Sequence, residues 1–468
     1  MIFIGVDIGT TRTKALVHDA ETGERRVFAA GTPVRASSDG DLRDADEVLQ
    51  TVIAVVGEAL TSLSRADRLR LAGIGVTSLS EEMVLVRSDG SSVGPMPTWY
   101  NTAGAGAAVA AGIDPSFSWT KLRWAHDRIV ATSAPFSEVS PADVATVTTL
   151  NGYIADRLSL AGRFAVDHSH ASRTGFFDVA DGVWRHDSFT ETGWASALLP
   201  ELVPTASEVG RLRSALAAEW GVPAVPVALA GHDHFCGAYG IGVRGRGQLY
   251  VSAGTSEAHC LIMEQPPEGD LPAGVSIGRF VDGERFYLHR QLPSGHLYQH
   301  WRGLLSLEDV TAEHEAQLLA ARPIGSGGAL LVPGYDTDTS TRLLTVGATS
   351  DAVSLMRALL EGLACAARHV DLALAEAAGL SVDSVLAAGI PTRSPVWLEM
   401  RASLSPAPLW VSDEPEAAAL GAALLAQLAL TGTSPDPLAF RSTQVSPARR
   451  TAYLELYERY LAVQARFA

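Results

Sequence analysis

Two short turns of glycine and threonine are the residues of this sequence whose types and spacing best suit chemistry. The first turn, Gly-Thr-Thr at 9–11, follows the apolar segment 2–8, and the second turn, Gly-Thr-Ser at 254–256, follows the apolar segment 249–253. Backbone N–H groups and hydroxyls in such turns can bind a phosphate, because glycine has no Cβ to hold the anion away. Two turns of this kind suggest a duplicated fold that closes on one nucleotide from both sides.

An acidic residue, Asp7, stands inside the first apolar segment, among Ile4, Val6 and Ile8. A charge in such a strand is unfavourable unless it is paired or binds a cation. A hard cation such as Mg²⁺, bridging to phosphates, suits a carboxylate at this place. The alternative is that Asp7 only accepts hydrogen bonds from the amides of the first turn.

A second acidic residue, Asp233, follows the apolar strand 227–230, where a helical segment begins. An aspartate at such a junction can cap the helix, or it can act as a general base that takes a proton from a substrate hydroxyl. A third interpretation is the transition-metal site of a hydrolase, formed by residues 232–234 with or without His168 and His170. Adjacent residues on a strand point to opposite faces, which argues against this joint set of ligands.

The elements that position these residues must come from a chain of 468 residues, which is long enough for two large domains. With 47% apolar and 19% charged residues, the composition is that of an ordinary globular protein. No membrane span is expected, because no uninterrupted apolar run reaches about 18 residues. No leader segment is visible, so we expect a cytoplasmic location.

Charge and cysteine content exclude further classes of function. The formal net charge of -16 argues against a nucleic-acid partner, which requires a basic face. Three scattered cysteines, at 236, 260 and 365, are too few for a disulfide framework or a cysteine-based zinc site. We expect them to be reduced and mostly buried.

A glycine-rich segment at 240–247 separates a helical run at 234–239 from the second turn and its strand. Such a segment marks a turn or hinge, and it divides the chain into predicted domains 1–243 and 244–468. It also matches the dinucleotide-binding pattern Gly-x-Gly-x-x-Gly. That motif requires a strand before the glycines and a helix after them, whereas the order here is helix, glycines, strand.

The order of motifs resembles that of the FGGY carbohydrate kinase family, which includes xylulose and glycerol kinases and is related in fold to hexokinase and actin. The resemblance covers nearly the whole chain. The matching segments are 7–11 and 254–256 for the phosphates, 231–233 for the catalytic segment, and 388–397 with 416–423 for the adenosine motif. It implies an α/β fold of two actin-like (ribonuclease H-like) ATPase domains with a cleft between them.

The resemblance implies a role for each matching residue. Asp233 would be the general base and would also contact the substrate, and Asp7 would organise Mg²⁺. The residues near the nucleotide would be Thr10, Thr11, Gly254, Thr255, Gly389 and Gly421. The residues near the sugar would be Glu81, Trp99 and Asn101, and glycerol kinases also carry a glutamate at the position of Glu81. The implied activity is the ATP- and Mg²⁺-dependent phosphorylation of a hydroxyl of a small ketose, sugar or polyol.

Two departures from the family pattern affect this prediction. Ala103 stands where the family usually has an arginine, so neither xylulose nor glycerol can be assigned as the substrate. Ile390 stands where a second glycine is usual, and a β-branched residue resists positive φ and would project bulk toward the base. The alternative from another class is a non-catalytic sugar- or nucleotide-binding regulatory protein. A homodimer is expected only by analogy.

Overall fold

The computed structural model describes residues 1–254, 256–333, 341–345, 351–433, 442–445 and 447–465. In chain order its strands are β1 (Ile2–Ile8), β2 (Arg12–Asp19), β3 (Arg25–Gly31), β4 (Leu42–Arg43), β5 (Leu71–Ser78), β6 (Met83–Val86), β7 (Met96–Pro97), β8 (Thr146–Thr149), β9 (Val166–Asp167), β10 (Phe177–Asp178), β11 (Val183–Trp184), β12 (Leu202–Val203), β13 (Ser207–Arg211), β14 (Pro226–His232), β15 (Gln248–Ala253), β16 (Glu257–Met263), β17 (Ser276–Arg279), β18 (Phe286–Leu292), β19 (Ala329–Pro333), β20 (Thr341–Thr345), β21 (Ser384–Ala388), β22 (Leu409–Ser412) and β23 (Ser442–Val445).

The α-helices are α1 (Ala45–Thr61), α2 (Arg65–Arg68), α3 (Ala105–Ala110), α4 (Ser118–Val130), α5 (Leu150–Ser159), α6 (His168–Ala171), α7 (His186–Thr190), α8 (Ser214–Trp220), α9 (Asp233–Gly240), α10 (Ser294–Leu304), α11 (Ala312–Ala320), α12 (Ala352–Ala377), α13 (Pro395–Leu404), α14 (Ala417–Thr431) and α15 (Arg450–Gln464). None of these helices is long and apolar enough to cross a membrane.

The chain forms two compact units. The first unit comprises residues 1–242, 278–285 and 416–439, and the second comprises 243–277, 286–415 and 440–468. The helix-then-strand order around the glycine-rich segment is as expected, because α9 ends at Gly240 and β15 begins at Gln248. The first unit also takes residues from late in the chain, which a single boundary at 243/244 does not describe.

The main sheet of the first unit has the strand order β13-β14-β5-β1-β2-β3. Strand β1 runs antiparallel to β2 and parallel to β5. All seven residues of β1 are buried. A continuous apolar run is what a strand covered on both faces requires, and Asp7 is the charged residue within it. The core behind this sheet includes Val48, Val52 and Val56, three buried residues of α1.

Helix α1 begins at its predicted position because Asp44 caps it. The Asp44 side chain accepts hydrogen bonds from the backbone N–H groups of Asp46 and Glu47. These are two of the donors that a helix N-terminus leaves without partners. The spacing of apolar residues at 44–63 predicts a helix, and α1 confirms it to within two residues at its C-terminal end.

Helix α14 covers one face of the first sheet at unusually close range. A Cβ built on Gly5 would lie 1.8 Å from the carbonyl oxygen of Ala419, and one built on Gly75 would lie 2.1 Å from that of Ala422. Glycines in β1 and β5 therefore admit the backbone of this alanine-rich helix, which no side chain at either position would allow.

The sheet of the second unit contains the strand order β18-β16-β15-β21-β22-β23. Strand β15 runs antiparallel to β16 and parallel to β21, as β1 does to β2 and β5. The outer strands also correspond, because β22 is parallel to β21 and antiparallel to β23, while β14 is parallel to β5 and antiparallel to β13. The two sheets share one topology, which confirms the predicted duplication.

Candidate active site

The first turn is held by its own backbone and by side chains from two other segments. The backbone N–H of Gly9 donates to the carbonyl of Arg12 over 3.1 Å and closes the turn. The indole Nε1 of Trp99 donates to Oγ1 of Thr10 over 2.9 Å, and Arg43 reaches the carbonyl of Thr10 at 3.4 Å. Thr11 is exposed at the tip. The turn thus keeps a fixed shape while it leaves donors accessible to a phosphate.

Asp7 lies directly across from Lys14 in the register of β1 and β2. The Lys14 amine is 3.9 Å from Oδ2 of Asp7 and 2.5 Å from Oε2 of Glu416. Burial and the nearby charge of Asp233 raise the pKa of Asp7 to about 7, although Lys14 opposes this shift. The charge of Lys14 therefore compensates only part of the repulsion between the carboxylates of Asp7 and Asp233.

The residues at Asp7 fit a hard divalent cation. Its Oδ1 is buried and has no hydrogen-bond partner among the residues that the structure describes. Asp233 supplies the neighbouring negative charge. Oxygen ligands of this kind are those that Mg²⁺ prefers.

Asp233 is the first residue of α9 and follows β14 directly. Its Oδ1 accepts a hydrogen bond from the backbone N–H of His234 over 2.7 Å and lies 3.1 Å from Nε2 of His232. Burial opposes ionisation, yet these two contacts hold the pKa of Asp233 below its usual range. Its Oδ2 has no hydrogen-bond partner among the described residues. Asp233 therefore presents one oxygen that is fixed and one that can receive a proton.

The prediction that residues 232 and 233 would point apart was wrong. The strand ends at His232 and the helix begins at Asp233, so the alternation of strand side chains stops between them. One ligand atom from each of His232, Asp233 and His234 lies within 4.8 Å of the others. His170 does not join them: its Nδ1 lies 2.7 Å from Asp167, and its Nε2 lies 3.3 Å from Oγ of Ser78.

Glu81 forms a buried ion pair with Arg173. The guanidinium Nε donates to Oε1 of Glu81 over 2.8 Å, and its plane lies over the ring of Phe117 at 4.7 Å. Burial alone would raise the pKa of Glu81, but the charge of Arg173 and the proximity of His232 lower it to about 2. Glu81 is thus an ionised hydrogen-bond acceptor close to His232, which precedes the predicted general base.

The side-chain amide of Asn101 is hydrogen-bonded within its own loop, and its predicted contact with the sugar stays a prediction. Its Nδ2 donates to the carbonyls of Asp39 and Asp41, each over 2.9 Å. Its Oδ1 accepts from the backbone N–H of Ala103 over 2.8 Å. The amide is occupied by the loop that contains it, so the structure gives Asn101 a reason to be present that involves no sugar.

Sequence reasoning missed two buried arginines that organise this region. Arg43 pairs with Glu82 over 2.8 Å, and both side chains are fully buried. Glu82 also accepts from the backbone N–H of Trp99 over 3.2 Å, so this pair fixes both the first turn and the predicted aromatic residue. Arg173 is separated from Glu81 by 92 residues. The doubled acidic residues 81 and 82 in an apolar stretch were the signal that two buried cations exist.

In the second unit, the structure places Gly389 beside the strand that leads to the second turn. Gly389 has φ 118°, and a Cβ there would lie 1.9 Å from the carbonyl oxygen of Ala253. Gly254 donates its N–H to the carbonyl of Ser256 over 2.9 Å, and both glycines are exposed. Thr255 lies outside the described residues. The predicted phosphate and adenosine segments of this unit therefore meet at one edge of its sheet.

The expectation that Ile390 would have to resist positive φ was wrong. The left-handed conformation belongs to Gly389, whereas Ile390 begins a short 3₁₀ turn, Ile390–Arg393. Its side chain is 78% exposed, so it is displaced from the backbone of the loop. The backbone of Ile390 thus gives no argument against an active enzyme, and the projection of its side chain toward the base stays a prediction.

Gly421 lies inside α14, where a Cβ would be 1.8 Å from the carbonyl oxygen of Cys236 in α9. Both helices belong to the first unit. This contact requires glycine for the packing of two helices, and the predicted nucleotide role of Gly421 stays a prediction. Cys236, Cys260 and Cys365 are buried thiols, as expected.

The sequence of this chain matches two models of one protein family. The sequence profile described as the FGGY family of carbohydrate kinases, N-terminal domain, matches residues 2–240, and the profile of the C-terminal domain matches residues 249–430. The chain therefore belongs to the FGGY family of carbohydrate kinases. The predicted family, and with it a phosphotransferase that uses ATP as co-substrate and a sugar or polyol as acceptor, is confirmed.

Individual relatives agree with the family. The chain is similar to a glycerol kinase of Alkalilimnicola ehrlichii, with 26% identity over 92% of this chain and 91% of the relative. It is also similar to a xylulose kinase of Bacillus subtilis, with 24% identity over 90% and 87%. The crystal structure of xylulose kinase from Rhodospirillum rubrum has a TM-score of 0.88 and 23% identity, and covers 100% of this chain and 99% of that one. The predicted fold of two actin-like α/β domains is confirmed.

Proposed function

We propose that this FGGY kinase transfers the γ-phosphate of ATP to a hydroxyl of a small neutral ketose or polyol, with Asp233 as the general base. The observation that carries the proposal is the state of the Asp233 carboxylate. One oxygen is held by the His234 N–H, while the other has no partner among the described residues. Its lowered pKa keeps the group ionised at neutral pH, as a proton acceptor must be.

The transfer step requires only a small amount of covalent chemistry from the protein. The substrate hydroxyl gives its proton to Oδ2 of Asp233 as its oxygen forms a bond to the γ-phosphorus, and the bond from that phosphorus to the leaving ADP oxygen breaks. Catalysis then depends on positioning and on charge neutralisation. Thr10 and Thr11 on the braced first turn are the proposed nucleotide contacts of the first unit, and Gly254 and Gly389 are those of the second unit.

Asp7 is the residue that would hold Mg²⁺. When bound, this ion would neutralise charge on the phosphates and relieve the repulsion between Asp7 and Asp233. The buried Oδ1 of Asp7 without a hydrogen-bond partner among the described residues supports this assignment. Lys14 would hold the Asp7 carboxylate in place through their 3.9 Å contact.

A neutral substrate is supported by the charges near Glu81. Arg173 is paired with Glu81, and its guanidinium also lies over an aromatic ring. Lys121 is 1% exposed and donates to the carbonyl of Ser116 over 2.7 Å. These two cations already have partners, so the carboxylate of a sugar acid would have to displace one of those partners. Glu81 would accept hydrogen bonds from hydroxyls, and Trp99 would contact the sugar.

The test is ADP release with ATP and Mg²⁺ across ketoses, aldoses, polyols and sugar acids, with Asp233→Asn as the blank. We expect a signal with a neutral ketose or polyol that disappears in the blank, while calorimetry shows that the variant still binds ATP. Equal activity in the variant would contradict the general-base assignment. A sugar acid as the best substrate would contradict the assignment of a neutral acceptor.

A further inference from the structure

Asp233 stands between two histidines that approach it at the point where β14 ends and α9 begins. His232 is 6% exposed and places Nε2 3.1 Å from Oδ1 of Asp233. His234 follows at the first turn of the helix, with its ring centroid 5.3 Å from that of His232. One ligand atom from each of the three residues lies within 4.8 Å of the others. Consecutive residues here converge instead of diverging.

The backbone that carries this group is fixed from behind. The N–H of His232 donates to Oγ of Ser169 over 2.9 Å. That hydroxyl in turn donates to Oδ1 of Asp167 over 2.5 Å, and Asp167 is fully buried. A ligand set held on a rigid junction needs only small side-chain rotations to close on an ion.

The two ring nitrogens of His232 differ in their contacts. Its Nδ1 is buried and has no hydrogen-bond partner among the residues that the structure describes. In the contact with Asp233, a hydrogen bond would use the Nε2 proton, whereas a metal ion would use the Nε2 lone pair. A cation bound to Nε2 would place the proton on Nδ1, which has no acceptor among the described residues, so this site would bind an ion less tightly than one whose second ring nitrogen is hydrogen-bonded.

We propose that His232, Asp233 and His234 form a binding site for a borderline divalent ion such as Zn²⁺, and that this ion inhibits the kinase by occupying the carboxylate that must accept the substrate proton. Two imidazoles and one carboxylate are ligands that zinc commonly takes. Mg²⁺ prefers oxygen ligands and an octahedral shell, so the magnesium required for catalysis does not compete effectively here. The inhibitory consequence rests on the proposed function, whereas the binding site does not.

The binding arm of the test requires no turnover. Zn²⁺ is titrated by calorimetry into the full chain, previously stripped with a chelator, in a buffer that contains Mg²⁺. Wild type should bind one Zn²⁺ with a Kd in the roughly micromolar range, and His234→Gln or Asp233→Asn should weaken it by about tenfold or more. The matched control is His186→Gln, which removes an exposed histidine of the same unit and should leave the affinity unchanged.

Cobalt provides a spectroscopic check, because Co²⁺ with this ligand set should give visible absorption bands that Zn²⁺ then displaces. These bands should be absent from His234→Gln and present in His186→Gln. Failure to bind one Zn²⁺, or equal affinity in His234→Gln and His186→Gln, would overturn the proposed site. Cobalt bands that form in Asp233→Asn at the same Co²⁺ concentration as in wild type would also overturn it.

The activity arm measures ADP release against Zn²⁺ concentration, with each variant compared with its own rate at zero zinc. Wild type should lose activity at the concentration that fills the site and recover it with a chelator, and His234→Gln should require about tenfold more Zn²⁺. Zinc bound at these residues with undiminished turnover would contradict Asp233 as the general base and leave the metal site standing. Zinc inhibition with equal potency in His234→Gln would instead exclude this site as its cause.

Discussion

The two units contain sheets of the same topology, but the buried charged side chains near the hairpin of each sheet differ in their contacts. In the first unit, Asp7 stands in β1, opposite Lys14, and its burial and the repulsion from Asp233 raise its pKa. In the second, Glu257 and His259 follow the corresponding turn. The Nδ1 of His259 lies 2.6 Å from Asp371, its Nε2 lies 3.1 Å from Glu257, and Arg401 lies 3.1 Å from Glu257.

The difference is one of compensation. The four charged side chains of the second unit are all at least 95% buried and contact one another. In the first unit the Lys14 amine is as far as 3.9 Å from Asp7, and the neighbouring charge of Asp233 repels that carboxylate. Compensated buried charge maintains a structure, whereas charge left uncompensated is available to a ligand or a reaction. One duplicated frame thus carries a structural network in one copy and the chemistry in the other.

The sharpest test of this contrast is Asp233→Asn. The rate should fall by about 10²–10⁴-fold, because general-base catalysis is lost. The free energy of unfolding should stay equal or rise, since the change removes repulsion with Asp7. Kinetics and chemical denaturation on the same preparation check both parts. A large loss of stability with the loss of rate would place Asp233 among the structural charges.

The converse change in the second unit is Arg401→Met, which leaves Glu257 and Asp371 without their buried cation. Breaking a buried ion pair in this way should lower the free energy of unfolding by about 3–5 kcal/mol. Denaturant titration measures it, with Arg246→Met, at an exposed arginine of the same unit, as the control. Equal stability of the two variants would show that the network of the second unit is not structural.

Two glycines, one in each unit, are predicted to contact the nucleotide. Substitutions at them distinguish an effect on packing from an effect on nucleotide binding. Gly421→Ala forces a Cβ to 1.8 Å from the Cys236 carbonyl, and overpacking of this kind should cost about 1–3 kcal/mol of stability. Gly389→Ala changes the exposed loop at φ 118° and should weaken ATP binding measured by calorimetry. Gly106→Ala, where a Cβ meets nothing within 4 Å, is the control for both. Loss of ATP affinity in Gly421→Ala without loss of stability would restore its nucleotide role.

The smallest effect concerns Mg²⁺ and Asp7. At about ten times its Kd, Mg²⁺ should stabilise wild type by about 1.4 kcal/mol and Asp7→Asn by much less. Without Mg²⁺, Asp7 makes the free energy of unfolding depend on pH. The pKa of Asp7 is raised from 3.8 to about 7 in the folded chain, so its contribution to stability is present at low pH and is lost as pH rises through about 7. The difference between wild type and Asp7→Asn in thermal melts measures this term, and a Mg²⁺ shift that survives the substitution would place the ion elsewhere.

The first turn, Asp7 and Asp233 could be predicted from the sequence because each depends on a local pattern. An apolar strand with one acid, followed by glycine and threonine, predicts Asp7 and the first turn without knowledge of any distant contact. Asp233 was found in the same way, at the junction of a strand and a helix. The spacing of apolar residues also predicts helices at 395–404 and 416–430, which agree closely with Pro395–Leu404 and Ala417–Thr431.

The remainder depended on contacts between residues far apart in sequence. Arg43 and Glu82 are 39 residues apart, and Arg173 and Glu81 are 92 apart, so neither pairing leaves a local signal. For Asn101, the sequence gives no sign of the carbonyls of Asp39 and Asp41 that its amide binds. The convergence of His232 with Asp233 depends on the single residue at which the strand ends, which periodicity cannot locate.

Helix α14 has a consequence for biosynthesis. It packs against β1, β5 and α9 of the first unit, yet its residues follow 165 residues of the second unit along the chain. The part of the protein that the ribosome makes first is therefore among the last to be completed. Until residues 416–431 emerge, the glycine-lined face of β1 and β5 is uncovered, and contacts between such distant segments form slowly. A gene truncated before this segment would encode all the predicted catalytic residues of the first unit without one wall of its core.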